Sequence, residues 1–575
     1  MRPGSDQTKI RKDQKGIHIT MQAMTLAISS MGIEYFVDQI LEPTIYNSLL
    51  GLTAPNMTVY PSGYTKTGIS ASPYTYPDQY TYSDIVVNLT NGTLSNYTPA
   101  YQGYTQQSGG VFQLTFLASN VGVNYTWNES YELTTYDPTY NKTTGPDSYS
   151  ATYDFTMTIG TLTLTVDLTL SASSTEYTLA VSSVSSDPQN IDPDWPSGSV
   201  VVTSQSCTGD TVDGGMEQAI DNIDFSSALN TVLSPLWGSV SATGDLGNGI
   251  TFDWAPGDDP LAFPNNSGLT LGITGQVSYD GTAYSAETAP SIALPSMPTD
   301  NYVHFDVSDY EFNALNWGYF EAGLLTQEIA ASDLPDPQML NTSNYCSLVA
   351  GLCEAYPNAP MSLTVTPTEA PTVSFQQIYE ITDTSLATLE SEVPSDVYTE
   401  LTYFEGIPYL DATSFANAVE PAIGSDNWTT YGAVIEAAAE LWAGVFEHQV
   451  QGAFYIAYED PVYLFTAQFD LVYVESAFVL GSSGSQQTVQ FDFTLVTSST
   501  QASLVDSNYQ PINILSFPAL WNTGFEPAYA DTMAALGSQG VPLPYMQGFE
   551  FLFDSATVTV EEGLVSVVAN LEYED

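Results

Sequence analysis

Histidine is the side chain most often used for acid–base catalysis and metal binding near neutral pH, and this chain of 575 residues has three: His18, His304 and His448. They lie far apart, and no acidic residue flanks them at the spacing of a catalytic or metal site. The sequence also lacks GxSxG, HExxH, CxxC, GxGxxG and GxxxxGK[ST] motifs. We therefore predict that the histidines are structural or surface residues, that there is no metal site, and that the protein is not an enzyme.

Carboxylates are abundant, with 66 Asp and Glu residues. At this number, adjacent acids such as Asp258 and Asp259 arise by chance, so they do not indicate a glycosidase pair. The residues Asp187, Asn190, Asp192 and Asp194 form an oxygen-rich segment that suits calcium. This segment lacks the D-x-[DN]-x-[DN]-G order of a calcium-binding loop, so a solvated turn is the preferred interpretation.

Basic residues are nearly absent. The chain has 7 Lys and Arg and a net charge of −59; five of the seven bases lie in residues 2–15, and none follows Lys142. Because phosphate groups are bound by basic side chains, we predict no nucleic-acid partner, and phosphoryl transfer and docking to anionic lipid are both disfavoured.

Ten N-x-[ST] sequences are potential N-glycosylation sites, and seven of them fall between residues 56 and 141, in a stretch rich in Tyr and Thr. We predict N-linked glycans and an extracellular, secreted protein; the alternative is a polar loop region with unused acceptors. The ten asparagines are Asn56, Asn88, Asn91, Asn96, Asn124, Asn128, Asn141, Asn265, Asn341 and Asn427.

The N-terminal residues do not read as a secretory signal, because polar residues interrupt the stretch from Gly16 to Gly32 and no cleavage-like motif follows. If the protein is secreted, we expect its leader to be missing from this chain or removed. No run approaches the 20 apolar residues of a transmembrane helix.

The three cysteines do not suggest a disulfide framework. Cys346 and Cys353 lie in a segment with helical apolar spacing, where seven residues rise about 10.5 Å, too far for a bridge. We predict that both are small buried residues and that Cys207 is a free or intermolecular thiol.

In the first half, an apolar stripe predicts a helix from Ile17 to Leu41 that ends before Pro43. Period-two alternation from Phe155 to Leu170 predicts one long strand with an apolar face and a bulge at Gly160. A second helix is predicted from Gly215 to Leu236.

Three prolines mark an extended linker at residues 285–300. Beyond it we predict helices from Asp309 to Thr326, Cys346 to Tyr356 and Trp521 to Leu536, with alternating strands between them and two strands at the end. Each half therefore opens with an apolar helix and continues in amphipathic strands, and the length alone predicts at least two domains.

The string VSDYEFNALNWGYFEAGLL at 307–325 contains Ser-Asp-Tyr, Phe-Asn and then Tyr and Glu-Ala-Gly. It resembles the opening helix of the second domain in the bactericidal/permeability-increasing protein family, which includes lipopolysaccharide-binding protein and the plasma lipid transfer proteins. Three more strings resemble segments of this family in the same order: residues 14–24, 153–170 and 541–574. The insert at about 56–150 is the least similar part.

The resemblance implies an α+β fold: a two-domain boomerang in which each domain is a long helix wrapped by a highly twisted antiparallel sheet, with a central sheet joining the two. It implies an N-terminal domain at 1–284, the linker at 285–300 and a C-terminal domain at 301–575. The family's first-domain disulfide has no second cysteine here near Cys207, and its lipopolysaccharide-binding bases are absent, so we do not carry lipopolysaccharide binding over.

We therefore predict a lipid-binding or lipid-transfer protein that holds phospholipid acyl chains in one apolar pocket per domain, with no other cofactor. Neutral or zwitterionic lipids are expected because no bases are present to bind phosphate. The predicted lining is Met21, Met24, Ile28, Met31, Tyr35, Leu162, Leu164, Val166, Leu168, Phe312, Leu315, Tyr319 and Leu324. The alternative is an extracellular structural protein that self-associates into a lipid-containing oligomer or filament through its basic N-terminal arm.

Overall fold

The structure is a computed structural model. It describes residues 22–573 except 62–63, 68–77, 108–110, 173–176, 195, 198, 200–219, 221, 238–242, 263–267, 286–291, 476, 484–485 and 544–548. The predicted sites Met21 and Asn265, the basic arm, His18 and Cys207 lie outside the described residues.

The described strands, in chain order, are β1 (Met24–Ser29), β2 (Thr53–Ala54), β3 (Met57–Val59), β4 (Tyr64–Thr67), β5 (Gln79–Ser95), β6 (Pro99–Gln107), β7 (Val111–Asp137), β8 (Lys142–Ala172), β9 (Tyr177–Asp194), β10 (Thr243–Gly247), β11 (Ile250–Asp253), β12 (Pro256–Ala262), β13 (Gly268–Ile273), β14 (Gln276–Tyr279), β15 (Thr282–Ala283), β16 (Val303–Ser308), β17 (Gln327–Ile329), β18 (Met361–Pro367), β19 (Thr372–Tyr379), β20 (Glu440–Ile456), β21 (Val462–Glu475), β22 (Val479–Ser483), β23 (Gln486–Gln490), β24 (Thr494–Leu495), β25 (Gln501–Ser507), β26 (Val541–Pro542), β27 (Phe549–Phe551), β28 (Thr557–Glu561), β29 (Leu564–Ala569) and β30 (Leu571–Tyr573).

The described α-helices are α1 (Ser30–Phe36), α2 (Glu42–Leu49), α3 (Phe225–Trp237), α4 (Asp309–Glu321), α5 (Leu352–Ala355), α6 (Asp383–Leu389), α7 (Ser395–Leu401), α8 (Ala412–Ile423), α9 (Ser425–Ala439), α10 (Phe517–Leu520) and α11 (Glu526–Gln539). A π-helical turn, Val37–Leu41, connects α1 to α2, and another, Trp521–Phe525, connects α10 to α11.

The chain divides into two compact units. Unit 1 contains the described residues of 1–29 and 240–575, and unit 2 contains those of 30–173 and 177–239. These cuts differ from the predicted limits of 1–284, 285–300 and 301–575, which stay a prediction.

Unit 2 is built on one long antiparallel sheet in the order β2-β5-β7-β8-β9. The predicted strand lies inside β8, and its apolar positions are buried as the alternation requires. The predicted bulge at Gly160 is wrong, because the register continues unbroken on both sides of it. The residues opposite Gly160, Asn120 and Asn190, have φ of +55° and +57°. The left-handed residues at this level therefore lie in β7 and β9, and no strand gains a residue over its neighbour there.

The predicted helix from Ile17 to Leu41 is wrong in its limits. Residues 24–29 form β1, whose six side chains are all buried, and the helical segment runs instead from Ser30 to Leu49. Both faces of β1 are buried, including Thr25 and Ser29, and its apolar residues Met24 and Ile28 are four apart, which is also a helical spacing. Pro43 does not end the helix, because it is the second residue of α2, directly after the π-helical turn, where its missing N–H is tolerated.

Unit 1 contains a central six-stranded sheet in the order β12-β13-β1-β16-β29-β28. Strand β1 pairs antiparallel with β13 on one side and with β16 on the other, and β16 pairs with β29. Strands from both predicted halves thus share one sheet, as the resemblance implies.

A second, seven-stranded sheet of unit 1 is centred on the long strands β20 and β21. Helix α4 packs against it through Phe312, whose ring contacts Phe375, Phe478 and Phe491 at centroid distances of 5.2–5.7 Å. The predicted helix from Asp309 is confirmed, but it ends at Glu321 because Gly323, at φ +71°, turns the chain. The predicted Trp521–Leu536 helix lies within a longer helical segment that starts at Phe517 and ends at Gln539.

Two parts of unit 1 differ from prediction. The segment from Cys346 to Tyr356 is not one helix, because Gly351 at φ +78° separates a turn from the short α5. Cys346 and Cys353 are therefore 5.4 Å apart at their Cα atoms and form a disulfide. Helices α6 to α9 were not predicted at all; they enclose a core of their own between β19 and β20.

The α+β class is confirmed, since helices accompany sheets in which every pairing between the named strands is antiparallel.

Candidate functional site

The predicted lining residues of the first half are divided between the two units. Leu162, Leu164, Val166 and Leu168 lie side by side on one buried face of β8, in unit 2, opposite β7 residues such as Phe116. Met31 and Tyr35 lie on α1 of the same unit and are half-buried. Met24 and Ile28 lie on β1, in unit 1. That these residues line one pocket stays a prediction.

In the second half, Phe312, Leu315 and Tyr319 are buried on α4, four or three residues apart on one helix side. Leu324 lies beyond the helix and is half-buried, whereas the neighbouring Leu325 is fully buried. A role of Leu324 in lipid binding stays a prediction.

Unit 1 contains a small cavity of about 10 Å³ beside α4, room for about one water-sized group. Two predicted lining residues, Met24 and Leu315, are in its wall although they were assigned to different halves. The complete lining is Met24, Leu246, Phe252, Trp254, Val277, Glu311, Leu315, Val541 and Pro542.

Local structure explains how these side chains meet. Glu311 and Leu315 are one helical turn apart on α4, so both point to the same side of the helix. Phe252 on β11 and the following Trp254 pack ring against ring at a centroid distance of 4.3 Å. Strand β14 pairs with β11 and adds Val277.

Glu311 gives the pocket its unusual chemistry. The residue is 3% exposed, and burial raises the pKa of its carboxyl well above the usual range, which favours the protonated form. Its Oε1 has no hydrogen-bond partner among the described residues. Gly275, at φ +64°, leaves the room for it, because a Cβ atom there would overlap the carboxyl group.

Trp254 provides the second polar atom of the wall. The residue is 4% exposed, and no hydrogen bond to its Nε1 is found within the described part of the chain. A buried N–H group without a partner is costly, as is a buried carboxyl oxygen. The pocket thus combines apolar walls with one N–H donor and one neutral acid, neither of which was predicted from the sequence.

The described histidines have structural partners. His304 Nε2 contacts Asp306 Oδ1 (2.9 Å) and Ser566 Oγ (2.6 Å), and Nδ1 contacts the Ser296 carbonyl (2.9 Å). Burial lowers the pKa of His304, but the hydrogen bond and charge of Asp306 outweigh burial, so the pKa is raised overall. Since Nε2 contacts both Ser566 and Asp306, the cluster is not ordered as a catalytic triad, in which a different ring nitrogen serves each. Asp306 is a direct partner of His304, although no acid was expected near a histidine at the spacing of a catalytic or metal site.

His448 is buried, and burial lowers its pKa to about 3, so the ring is neutral. Its Nε2 lies 2.8 Å from the Tyr529 hydroxyl. No group of three or more metal-ligating side chains occurs among the residues that the structure describes.

The predicted glycosylation sites fall into two groups among the described residues. Asn56, Asn91, Asn96, Asn124 and Asn141 are exposed, while Asn88, Asn128, Asn341 and Asn427 are half-buried. Asn88 on β5 and Asn128 on β7 are directly opposite each other in the sheet. Their use as glycan acceptors stays a prediction.

None of the helices in the described ranges has the length and apolar character to cross a membrane. A comparison with curated proteins found no match. Among solved structures, a crystal structure of lipopolysaccharide binding protein is similar at 14% identity and a TM-score of 0.47, covering 96% of this chain and 100% of that chain. Residues 261–395 match the family model described as the C-terminal domain of the LBP / BPI / CETP family. The resemblance read from the sequence is therefore confirmed, and residues 261–395, which include α4, carry the likeness of this chain to the LBP / BPI / CETP family.

Proposed function

We propose that this protein is a secreted lipid-binding or lipid-transfer protein that holds acyl chains of neutral or zwitterionic phospholipids in apolar pockets, one in each half, without catalysis. The resemblance to the LBP / BPI / CETP family implies lipid binding in general terms. The observation that carries the proposal is the pocket beside α4, in which eight of the nine lining residues are apolar.

The size of the pocket sets what it holds. The cavity beside α4 is about 10 Å³, room for about one water-sized group, so an acyl chain enters it only when the surrounding side chains move apart. Each buried methylene is worth about 0.8 kcal/mol against water and almost nothing against a bilayer, because both environments are apolar. Exchange with a membrane would then be reversible, as a carrier requires.

A second chain would lie in unit 2, against the apolar face of β8. Leu164 and its neighbours form that face, while Met31 and Tyr35 on α1 are only half-buried. Half-buried apolar side chains on a helix leave hydrocarbon surface that a lipid chain can cover. Methionine suits such a role because it adapts to chains of different shape.

Two observations support secretion. The Cys346–Cys353 disulfide is typical of oxidising compartments, and five of the predicted acceptor asparagines are exposed. The self-associating alternative stays a prediction, since the arm on which it depends lies outside the described residues.

The test is to extract the purified full-length protein with organic solvent and identify the lipids by mass spectrometry. We expect neutral or zwitterionic lipid, and transfer of labelled phosphatidylcholine between vesicles. Leu315→Trp, which fills the pocket beside α4, and Leu164→Trp, on β8, should each lower transfer. Leu515→Trp is the matched control, since Leu515 is 87% exposed. Finding no lipid and no transfer would refute the function, and finding only anionic lipid would refute the headgroup class.

A further inference from the structure

A segment without helix or strand, residues 292–302, runs alongside β1 in unit 1, and we call it the strap. Its first end is tied to Gln22, just before β1: the Ile292 amide donates to the Gln22 carbonyl (3.1 Å), and the Gln22 side-chain amide donates to the Ile292 carbonyl (2.9 Å). Its last end is tied to Ser29, where β1 ends, because the Ser29 hydroxyl donates to the Asn301 carbonyl at 2.8 Å. The strap is therefore fixed at both ends.

The middle of the strap is held by a histidine. Among the described residues, residues 293–300 make one hydrogen bond to the central sheet, between the Ser296 carbonyl and His304 Nδ1 at 2.9 Å. We propose that His304 is a pH-controlled latch, whose protonated ring ties the middle of the strap to the sheet and whose loss of a proton frees it. This device does not depend on lipid binding, so it goes beyond the proposed function.

The partners of the ring define its closed state. Nδ1 faces the Ser296 carbonyl, which can only accept, so this nitrogen carries a hydrogen. Nε2 lies 2.9 Å from Asp306 Oδ1 and 2.6 Å from Ser566 Oγ. The Ser566 hydroxyl donates to the same Asp306 oxygen at 2.8 Å, so its own oxygen accepts from Nε2. Both ring nitrogens therefore donate, which only the charged imidazolium does.

The charges around the ring are all negative. Burial lowers the pKa of His304, but the hydrogen bond and charge of Asp306 on β16, together with the weaker charge of Glu561 on β28, raise it overall. Strands β1 and β29, on either side of β16, contain no titratable residue. The strap itself contributes one acid, the exposed Asp300, and no base. The imidazolium is thus the form that the surroundings favour at low pH.

The neutral ring cannot keep both contacts. A ring with its hydrogen on Nδ1 would turn the Nε2 lone pair toward the Asp306 carboxylate, and a ring with its hydrogen on Nε2 would turn the Nδ1 lone pair toward the Ser296 carbonyl. Hydrogen bonds to a charged group are the stronger ones. Asp306 is also 5% exposed, whereas Ser296 is exposed and its carbonyl can turn to water. The contact that is lost is therefore the one to the strap.

The direction of the switch follows from the raised pKa. The latch is closed below about pH 6.5, the unfolded value for histidine, and opens as the pH rises through the folded-state pKa, which is higher. Opening leaves residues 293–300 as a loop that is held only at its ends.

The experiment uses the full-length protein with a nitroxide on Ser296→Cys, in a Cys207→Ser background. The side chain of Ser296 is exposed and the latch uses only its carbonyl, so the label replaces no part of it. We expect the ratio of mobile to immobile label in EPR spectra to rise about fivefold between pH 5.5 and 9, the effect of losing one neutral hydrogen bond. The midpoint should lie above pH 6.5. A label on Leu515→Cys is the control, since Leu515 is 87% exposed and should be equally mobile at every pH.

A second measurement follows the ring itself. In ¹⁵N NMR of the histidine rings, the His304 signals are those missing from His304→Gln, and His448 does not titrate in this range because burial lowers its pKa to about 3. We expect hydrogens on both nitrogens of His304 at pH 5.5 and on Nε2 alone at pH 9.

Three variants, each combined with the Ser296 label, test the cause. His304→Gln should make the mobility of the label independent of pH. Asp306→Asn removes the main partner charge and should move the midpoint to lower pH. If Asp306→Asn fails to fold, Glu561→Gln, at an exposed position, should move the midpoint in the same direction by a smaller amount.

Three results would overturn the latch. The first is a label whose mobility stays constant over the pH range in which NMR shows His304 losing its proton. The second is a neutral ring with its hydrogen on Nδ1, which would keep the strap bound. The third is a pH dependence that persists unchanged in His304→Gln, which would assign the motion to another group.

Discussion

The buried carboxyl of Glu311 makes the stability of unit 1 depend on pH. Burial raises its folded-state pKa well above the unfolded value, which is about 4.3. The stability associated with a raised carboxyl pKa is fully present below the unfolded pKa and is lost as the pH rises toward the folded pKa. Over that interval the unfolded chain releases a proton that the folded chain keeps.

The size of the effect follows from one proton. While the folded carboxyl stays protonated, each pH unit above the unfolded pKa lowers the free energy of unfolding by about 1.4 kcal/mol. Glu311→Gln removes the titration and nearly preserves the shape. We therefore expect the free energy of unfolding of the variant, minus that of the wild type, to increase by about 1.4 kcal/mol per pH unit above about pH 5.

The assay is urea denaturation of both proteins at half-unit steps from pH 4.5 to 7.5. The chain has 66 acids, so only the difference between variant and wild type is informative. Glu321→Gln is the matched control, because Glu321 is an exposed acid at the end of the same helix. A Glu311→Gln difference that does not change with pH, or that the Glu321→Gln control reproduces, would refute the assignment of Glu311 as a buried neutral acid.

Three further predictions follow from other sites. His304 has a raised pKa, so its ion pair with Asp306 stabilises the fold below pH 6.5, and this contribution is lost as the pH rises through the folded-state pKa. In urea denaturation, His304→Gln should lower the free energy of unfolding by about 1 to 2 kcal/mol at pH 5.5 and by clearly less at pH 9. Reduction of Cys346–Cys353, or Cys353→Ser, should lower the free energy of unfolding by about 2 to 3 kcal/mol, the loop-closure value for so short a loop, and an unchanged thermal midpoint would contradict it. Asn88 and Asn128 face each other at about 5 Å between Cβ atoms, which is too close for two glycans. Glycopeptide mass spectrometry should therefore find a glycan on only one of the two asparagines in a given molecule, and Asn88→Gln should raise glycan occupancy at Asn128. Molecules that commonly carry both glycans would contradict this steric exclusion.

Secondary structure could be predicted where the spacing of apolar residues fitted only a strand or only a helix. The alternation around Leu164 predicted β8 because a sheet with one wet face imposes a period of two. Spacing was ambiguous for Met24 and Ile28, because residues four apart lie on one face of a helix and also on one face of a strand. Spacing also gave a wrong prediction at Cys346. Gly351, with a positive φ, replaces the expected helix by a turn and brings Cys346 and Cys353 together.

The sequence contains helix-capping residues at the starts of two of the unpredicted helices, α6 and α8. Thr382 accepts a hydrogen bond from the Ser385 amide at the start of α6, and Asp411 accepts one from the Ser414 amide at the start of α8. Both are residue types that begin helices by capping their free amides. The pocket had no such signal, because its wall combines residues from Met24 to Pro542 and depends on how distant strands pair.

Glu311 is an acidic residue at a buried position of α4 where an apolar residue would be expected. A leucine there would match Phe312 and Leu315 on the same helix, whereas an acid loses its hydration and gains no partner among the described residues. Gly275 adds to the cost, since a glycine at that position gives up side-chain packing to make room for the carboxyl. Glu311→Leu should therefore make the protein more stable at neutral pH, by an amount that grows as the pH rises, and urea denaturation of the variant and the wild type at pH 5 and pH 7.5 measures it. An equal stability difference at the two pH values would contradict the titration of a buried carboxyl at this position.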